Sequence, residues 1–518
     1  MNFNYIYLVK NFKKLEYFFY KILTDNKATN TTYCISIMQF IKPHPEYFIK
    51  YNFFINKSLY LIFKLFIFSL LDKLFRFTKW LIRKLEDFYL SFFLKSTNNL
   101  DTKNSDIIFI TNVVTAKNLK FRKNINNDFV FGNIISHLRN IYNVKVFYIN
   151  NTTINSRRIF ENFKTNRSIL ILKKILKFSE EILILLSQFK ELKNLTINFF
   201  FKKINFYESL LILNDLFSYE TRNNIRLKIQ FEKLLKIYSP KIVVTSFEGY
   251  CWEKIVFNLC KSINGIDIKT IGYQNAGIIK NQVSICRKYK KNYNPDYILT
   301  SGNINLSFFY KFFPKKKRLF EVGSNRSSTN NKNKILNKFL YNKKNITNCL
   351  VIPEGTNEET KSLFDFSYSL AKSFPKLNFI LRVHPQVNLN KFTKKFFIFN
   401  KYKYLKNITF SNNLFNDDLK KSQIILYRGS TGVVTGVLNG LFPIYYRQPK
   451  ESINIDPIFK LKKLRQVISD EKDLSKILNT FFTISAKDIE IGIIFCKKYF
   501  TNLEFNKTKS IFDYIIKK

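Results

Sequence analysis

Gln423-Ile424-Ile425-Leu426-Tyr427-Arg428-Gly429-Ser430-Thr431-Gly432-Val433-Val434-Thr435-Gly436-Val437-Leu438-Asn439-Gly440 is the stretch from which the fold is read. The apolar run without alternation predicts a strand over Ile424–Tyr427, covered on both faces as in a parallel sheet. A Gly-Ser-Thr-Gly turn follows, and a helix is expected to open near Thr431. That junction offers backbone N–H groups and two hydroxyls to an anion at the strand's carboxyl end. Gly432, Gly436 and Gly440 are spaced by four and share one helix face. Each costs up to about 1 kcal/mol inside a helix, so the spacing calls for close packing or a bound nucleotide. Close packing alone leaves Arg428, Ser430 and Thr431 unexplained.

Upstream, Arg382-Val383-His384-Pro385 ends the apolar run Phe379-Ile380-Leu381. Ligands of doubly wound sheets bind at this edge. There Arg382 supplies a fixed charge, and His384 a donor able to hold a phosphate or protonate a leaving group. Pro353-Glu354-Gly355-Thr356 is a further strand end before a helix near Asn357. Asp417 and Asp418 read as acids of a helix first turn rather than a metal pair. Strands are expected at Cys349–Pro353, Phe379–Val383, Ile408–Phe410, Ile424–Tyr427, Ile444–Tyr446 and Gln466–Ile468.

An earlier unit has the same rhythm, with strands expected at Ile107–Thr111, Val144–Ile149, Ile242–Ser246, Ile268–Gln274, Tyr297–Thr300 and Leu319–Val322. After Ile242–Ser246 come Phe247-Glu248-Gly249-Tyr250-Cys251-Trp252-Glu253. A carboxylate at this turn suits a base that accepts a hydroxyl proton. Glu248 fits that role, with Glu253 one turn on as the second candidate; an N-cap role for Glu248 is the structural alternative. Gly249, Tyr273, Gln274 and Asn275 offer neutral contacts for a polyol acceptor. Gly302 and Gly323-Ser324-Asn325-Arg326 close the unit. The expected organisation is a helical region over 1–100, α/β units over 101–328 and 349–486, a linker carrying a short helix over 329–348, and a helical segment over 487–518.

The 518 residues carry a formal net charge of +49. Lys dominates that charge and is spread along the chain, whereas a nucleic-acid binder gathers Lys and Arg on one patch. Nucleic acid is therefore disfavoured as a partner. Six scattered Cys and three His give no metal-ligand spacing, so neither metal nor disulfide framework is expected. Reduced thiols and the lack of a signal-peptide pattern suggest a cytoplasmic protein. The apolar run Leu59–Leu71 is too short to span a bilayer. Its surroundings, from Lys57 to about residue 90, alternate basic and aromatic residues at helical spacing. They suit either an anionic membrane surface or the protein's own core.

Glu248-Gly249, His384-Pro385 and Ser430-Thr431, in this order, resemble the motifs of two-domain (GT-B) glycosyltransferases of surface-carbohydrate synthesis. Sialyltransferases, polysialyltransferases and Kdo transferases are the nearest in pattern. The resemblance covers about residues 240–450 and implies two Rossmann-like domains facing a cleft. It implies an inverting, metal-independent transfer with no cofactor, from a nucleotide-sugar such as a CMP-sugar to a glycan or lipid-linked acceptor. Glu248 would be the base; His384, Arg382, Pro385, Ser430 and Thr431 would hold the donor phosphate, with Arg428, Gly429, Gly432, Glu354 and Gly355 around them. The family often has two acids before the glycine, whereas Phe247 stands here, which keeps Glu253 in play. Transfer of glycerol or ribitol phosphate from a CDP-polyol is the alternative chemistry. A basic peripheral membrane protein is the non-enzymatic one.

Overall fold

The computed structural model describes residues 104–518, apart from 114–127, 151–168, 201–215, 279–284, 286–292, 394–404 and shorter stretches between them. The expected helical region 1–100, with its basic stripe, lies outside the described residues. Strands β1 (Ile107–Val113), β2 (Val144–Asn150), β3 (Ile169–Ile171), β4 (Ile242–Ser246), β5 (Lys269–Gln274), β6 (Tyr297–Thr300) and β7 (Leu319–Glu321) form one sheet in the order 3-2-1-4-5-6-7. A second sheet holds β8 (Asn348–Ile352), β9 (Asn378–Leu381), β10 (Ile408–Phe410), β11 (Ile424–Tyr427), β12 (Phe442–Tyr446) and β13 (Gln466–Ile468), in the order 10-9-8-11-12-13. All pairings are parallel. The architecture is α/β with two doubly wound, Rossmann-like domains, as expected. β3 was not anticipated: three residues inside a longer apolar run carry no strand period of their own.

Strand order reverses between β1 and β4 in the first sheet and between β8 and β11 in the second. These are the switch points where doubly wound sheets leave a crevice. Every residue of β4, β6 and β11 is buried, which explains their unbroken apolar character.

Alternate residues of the first sheet feed two cores. Ile108, Ile110 and Val243 pack beneath Phe231 and Leu235 of α3 (Tyr219–Tyr238) and Ile255 and Val256 of α4 (Cys251–Ser262). Ile107, Phe109 and Val244 face the other way, against α1 (Ile134–Arg139) and a helix from the far end of the chain. The remaining first-domain helices are α2 (Phe178–Phe200) and α5 (Asn303–Phe309).

The stretch expected as a linker forms α6 (Lys332–Lys344), whose Ile335 and Phe339 are buried in the second domain's core. Phe339 meets Phe442 edge-on at 5.0 Å. The segment belongs to the second domain rather than tethering it, because two apolar residues one turn apart suffice to bury a helix face. The second domain continues through α7 (Asn357–Ser373), α8 (Phe415–Lys421), α9 (Gly432–Val437), α10 (Asp473–Thr483) and α11 (Ala486–Tyr499). Asp417 and Asp418 lie in the first turn of α8.

After α11 the chain crosses back. Thr501 N–H donates to Ser301 O at 3.0 Å, and Ser324 N–H donates to Thr501 O at 2.9 Å. Helix α12 (Phe505–Ile516) then packs Ile511, Phe512 and Ile515 onto the first sheet, with Phe512 stacked on Phe109 at 6.4 Å. Phe512→Ala should therefore destabilise the first domain by about 3–5 kcal/mol, the cost of emptying a buried aromatic site. Urea unfolding measures this, and an unchanged midpoint would show that α12 does not hold the sheet.

Candidate functional site

The loop after β4 lies at the first switch point, and its residues divide by role. Phe247 is fully buried, stacked on Phe309 at 5.8 Å with the Lys254 ammonium over its ring. It is a core residue. Gly249 adopts φ 89°, the left-handed region open to glycine, and turns the chain into α4.

Glu253 is buried within this turn. Its carboxylate accepts from Ser246 Oγ (2.9 Å), Gly249 N (2.9 Å), Tyr250 N (3.0 Å) and Glu248 N (3.0 and 3.2 Å). Burial first, then the charge of Glu248, raise its pKa, against the pull of the Glu248 N–H, the charge of Lys254 and the Ser246 hydroxyl. Such a carboxylate builds the loop and has both oxygens engaged. Glu248 is only partly buried. Burial raises its pKa, opposed by a Tyr250 hydrogen bond and by the charge of Arg326.

Arg326 was read only as part of a strand end. Gly323, at φ 87°, turns the chain after β7, and Tyr273 Oη donates to Gly323 O at 2.9 Å. The Arg326 guanidinium lies 4.2 Å from the centre of the Phe500 ring and donates to Thr431 Oγ1 of the second domain at 3.0 Å. Burial lowers its pKa, with Tyr499, Tyr273 and Glu248 acting the other way. The same guanidinium, after burial, holds the His384 pKa down to about 4. His384 is thus neutral near pH 7, and Arg326 supplies the fixed positive charge. Thr431 stands beside the second switch point, so Arg326 links the carboxyl edges of the two sheets. Its sequence signal was a scarce Arg three residues after a glycine that closes a strand.

The chain has loose structural likenesses. No protein-family model and no curated protein matches it. The UDP-GlcNAc 2-epimerase of Methanocaldococcus jannaschii, in complex with UDP-GlcNAc and UDP, is similar at 12% identity and TM-score 0.46, over 80% of this chain and 100% of that one. A glycosyltransferase from Rickettsia africae ESF-5 is similar at 13% and 0.43, over 80% and 99%. Acinetobacter baumannii MurG is similar at 11% and 0.39, over 80% and 100%. At these values the likeness carries no functional argument.

Other expected donor residues have different surroundings. Arg428 is buried behind the loop, bonded through Nε to Glu359 Oε2 (2.6 Å) and through one terminal nitrogen to Glu451 Oε1 (2.8 Å) and Tyr445 Oη (3.0 Å). Burial works against its charge, but Glu359, Tyr445 and Glu451 more than offset this and raise its pKa. It braces the loop rather than facing the cleft. Arg382 donates to Asn413 O and Asp418 Oδ2, each at 2.7 Å, tying β9 to α8. Pro385 is exposed in the turn where Val387 N–H donates to His384 O at 2.8 Å.

Gly429 has φ 70°, and a Cβ there would stand 2.8 Å from Glu354 Cγ. Gly355 precedes Thr356, the N-cap of α7. Ser430 Oγ accepts from the N–H of Gly432, the first residue of α9, at 3.3 Å. A Cβ on Gly436 would meet Ile425 at 2.7 Å, and Gly440 turns with φ 78° after α9 has ended. Close packing thus accounts for Gly436, and turn geometry for Gly440. Of the expected acceptor contacts, Tyr273 is a core residue stacked on Phe131 at 5.7 Å. Gln274 and Asn275 are also buried, and Ser301 Oγ donates to Gln274 Oε1 at 3.5 Å. All three are thus held inside the first domain.

Two substitutions separate the glutamates. Glu253→Ala strips the acceptor from three backbone N–H groups and should cost about 2–4 kcal/mol. Glu248→Ala should change stability by less than about 1 kcal/mol. Urea unfolding measures both, and the reverse ranking would exchange their roles.

Proposed function

We propose that the protein is an inverting, metal-independent GT-B glycosyltransferase that moves a sugar from a nucleotide donor, a CMP-sugar first among them. The acceptor is a surface carbohydrate or a lipid-linked glycan. One observation carries this reading: Arg326 of the first domain donates to Thr431 of the second and acts electrostatically on both Glu248 and His384. This supports reading Glu248 as the base, Arg326 as the fixed cation, and His384 and Thr431 as phosphate-binding groups of one site.

In the proposed reaction Glu248 accepts the proton of the acceptor hydroxyl as that oxygen attacks the anomeric carbon. The bond from that carbon to the donor phosphate breaks on the opposite face, and the phosphate oxygen keeps the electron pair. Arg326 stabilises the departing charge, with Ser430, Thr431 and neutral His384 able to donate hydrogen bonds. Glu253 fixes the backbone from which Glu248 projects.

Glu248→Gln should lower transfer by about 10²–10⁴-fold and leave donor binding intact. Arg326→Ala should lower kcat/KM by about 10²–10³-fold. Because burial raises the Glu248 pKa and the base works ionised, kcat/KM should rise with pH with a midpoint above the ordinary carboxylate value of 4.5. CMP-, UDP- and GDP-sugars and a CDP-polyol, assayed for binding and donor consumption, identify the donor. Polyol consumption alone would replace glycosyl by phosphoryl transfer, and binding of none would overturn the reading. Full transfer by Glu248→Gln would remove Glu248 as the base.

A further inference from the structure

Helix α2 is turned the wrong way for an element facing water. Glu181, Ile184, Gln188 and Glu191 are buried on its inner side. Arg226 of α3 grips Glu181 with two N–H···O bonds of 2.7 and 2.8 Å, and Gln188 Nε2 donates to Leu216 O at 2.7 Å. These bonds set the helix's rotation. On the outer side Ile182, Leu183 and Leu186 are 37%, 62% and 58% exposed, and Phe178 and Phe189 extend the row at 42% and 53%. Positions 178, 182, 186 and 189 step by four, four and three, which makes a single stripe. A surface helix ordinarily buries such a stripe and exposes its acids.

Charge indicates what the stripe meets. Lys177, Lys190 and Lys193 are exposed beside it. Lys233 and Lys236 of the adjoining α3 are each 64% exposed, paired respectively with Glu180 and with Glu232 of their own helix. Among the described residues of α2 no acid is exposed, and Glu180 turns to Lys233. Aliphatic and aromatic side chains flanked by lysines match a surface where hydrocarbon begins just beneath a layer of phosphates. The helix has 23 residues, yet no helix among those described is apolar enough to cross a membrane. It fits a position in the plane of the interface. We propose that the outer face of α2 docks the protein on an anionic membrane, with Leu183 and Leu186 entering the acyl region and the lysines meeting lipid phosphates. This docking does not depend on which donor the cleft takes.

The test uses the full chain with phosphatidylcholine vesicles, with and without phosphatidylglycerol. Leu183→Trp should show fluorescence quenching by lipids brominated near the headgroup, beyond any quenching of the parent chain. Binding should require the anionic lipid and weaken with salt. Leu183→Glu with Leu186→Glu should lower vesicle affinity by about tenfold or more, with an unchanged circular dichroism spectrum. No binding to anionic vesicles, or binding in which the introduced tryptophan adds no quenching, overturns the proposal. So does a double variant that binds vesicles normally but sediments as a monomer where the parent is a dimer, since the face would then be a protein interface.

Discussion

The site depends on a short run of backbone pairing. Where Thr501 exchanges hydrogen bonds with Ser301 and Ser324, the chain leaving the second domain is laid across the carboxyl ends of β6 and β7. The fit leaves no room for side chains. A Cβ on Gly302 would stand 2.4 Å from Tyr499 O, and one on Gly323 would stand 2.2 Å from Asn502 O. Tyr499 Oη adds a bond to Ile278 O. Phe500, carried on this strap, is the ring over which Arg326 lies. The guanidinium reaches Thr431 because the strap fixes one domain against the other.

Charges inside the molecule follow a consistent logic. Arg226 with Glu181, Arg428 with Glu359 and Glu451, and Arg465 with Asp456 are buried pairs. Each consumes its partner's charge, because a lone buried ion is very costly. Arg326 differs in spending its hydrogen bond on a neutral hydroxyl. Its charge therefore acts outward on Glu248 and His384, which a salt-bridged arginine would do far less.

Most of the fold was legible, because fully buried parallel strands leave unbroken apolar runs and their ends are marked by glycine. Glu248 was singled out for that reason. Arg428 was misjudged because an arginine at a strand end reads alike whether it points to the cleft or behind it. Its partners, Glu359 and Glu451, lie 69 and 23 positions away in sequence. Tyr273 and Gln274 looked accessible because nothing local announces Phe131, Gly323 and Ser301, which lie 142, 50 and 27 positions away and pack or bond against them. Arg326 escaped a role for the same reason: its ring partner Phe500 and its hydroxyl partner Thr431 belong to segments brought there by tertiary structure alone.

Helix α12 supplies Phe512 to a core begun at Ile107. The first sheet has all its strands by Glu321, yet part of one face stays uncovered until Phe512 has emerged from the ribosome. Synthesis at about 5–20 residues per second leaves the exposed side of β1 waiting many seconds for its cover. The core begun first is therefore one that cannot be filled before the second domain's own core helices, which end at Tyr499, have been made.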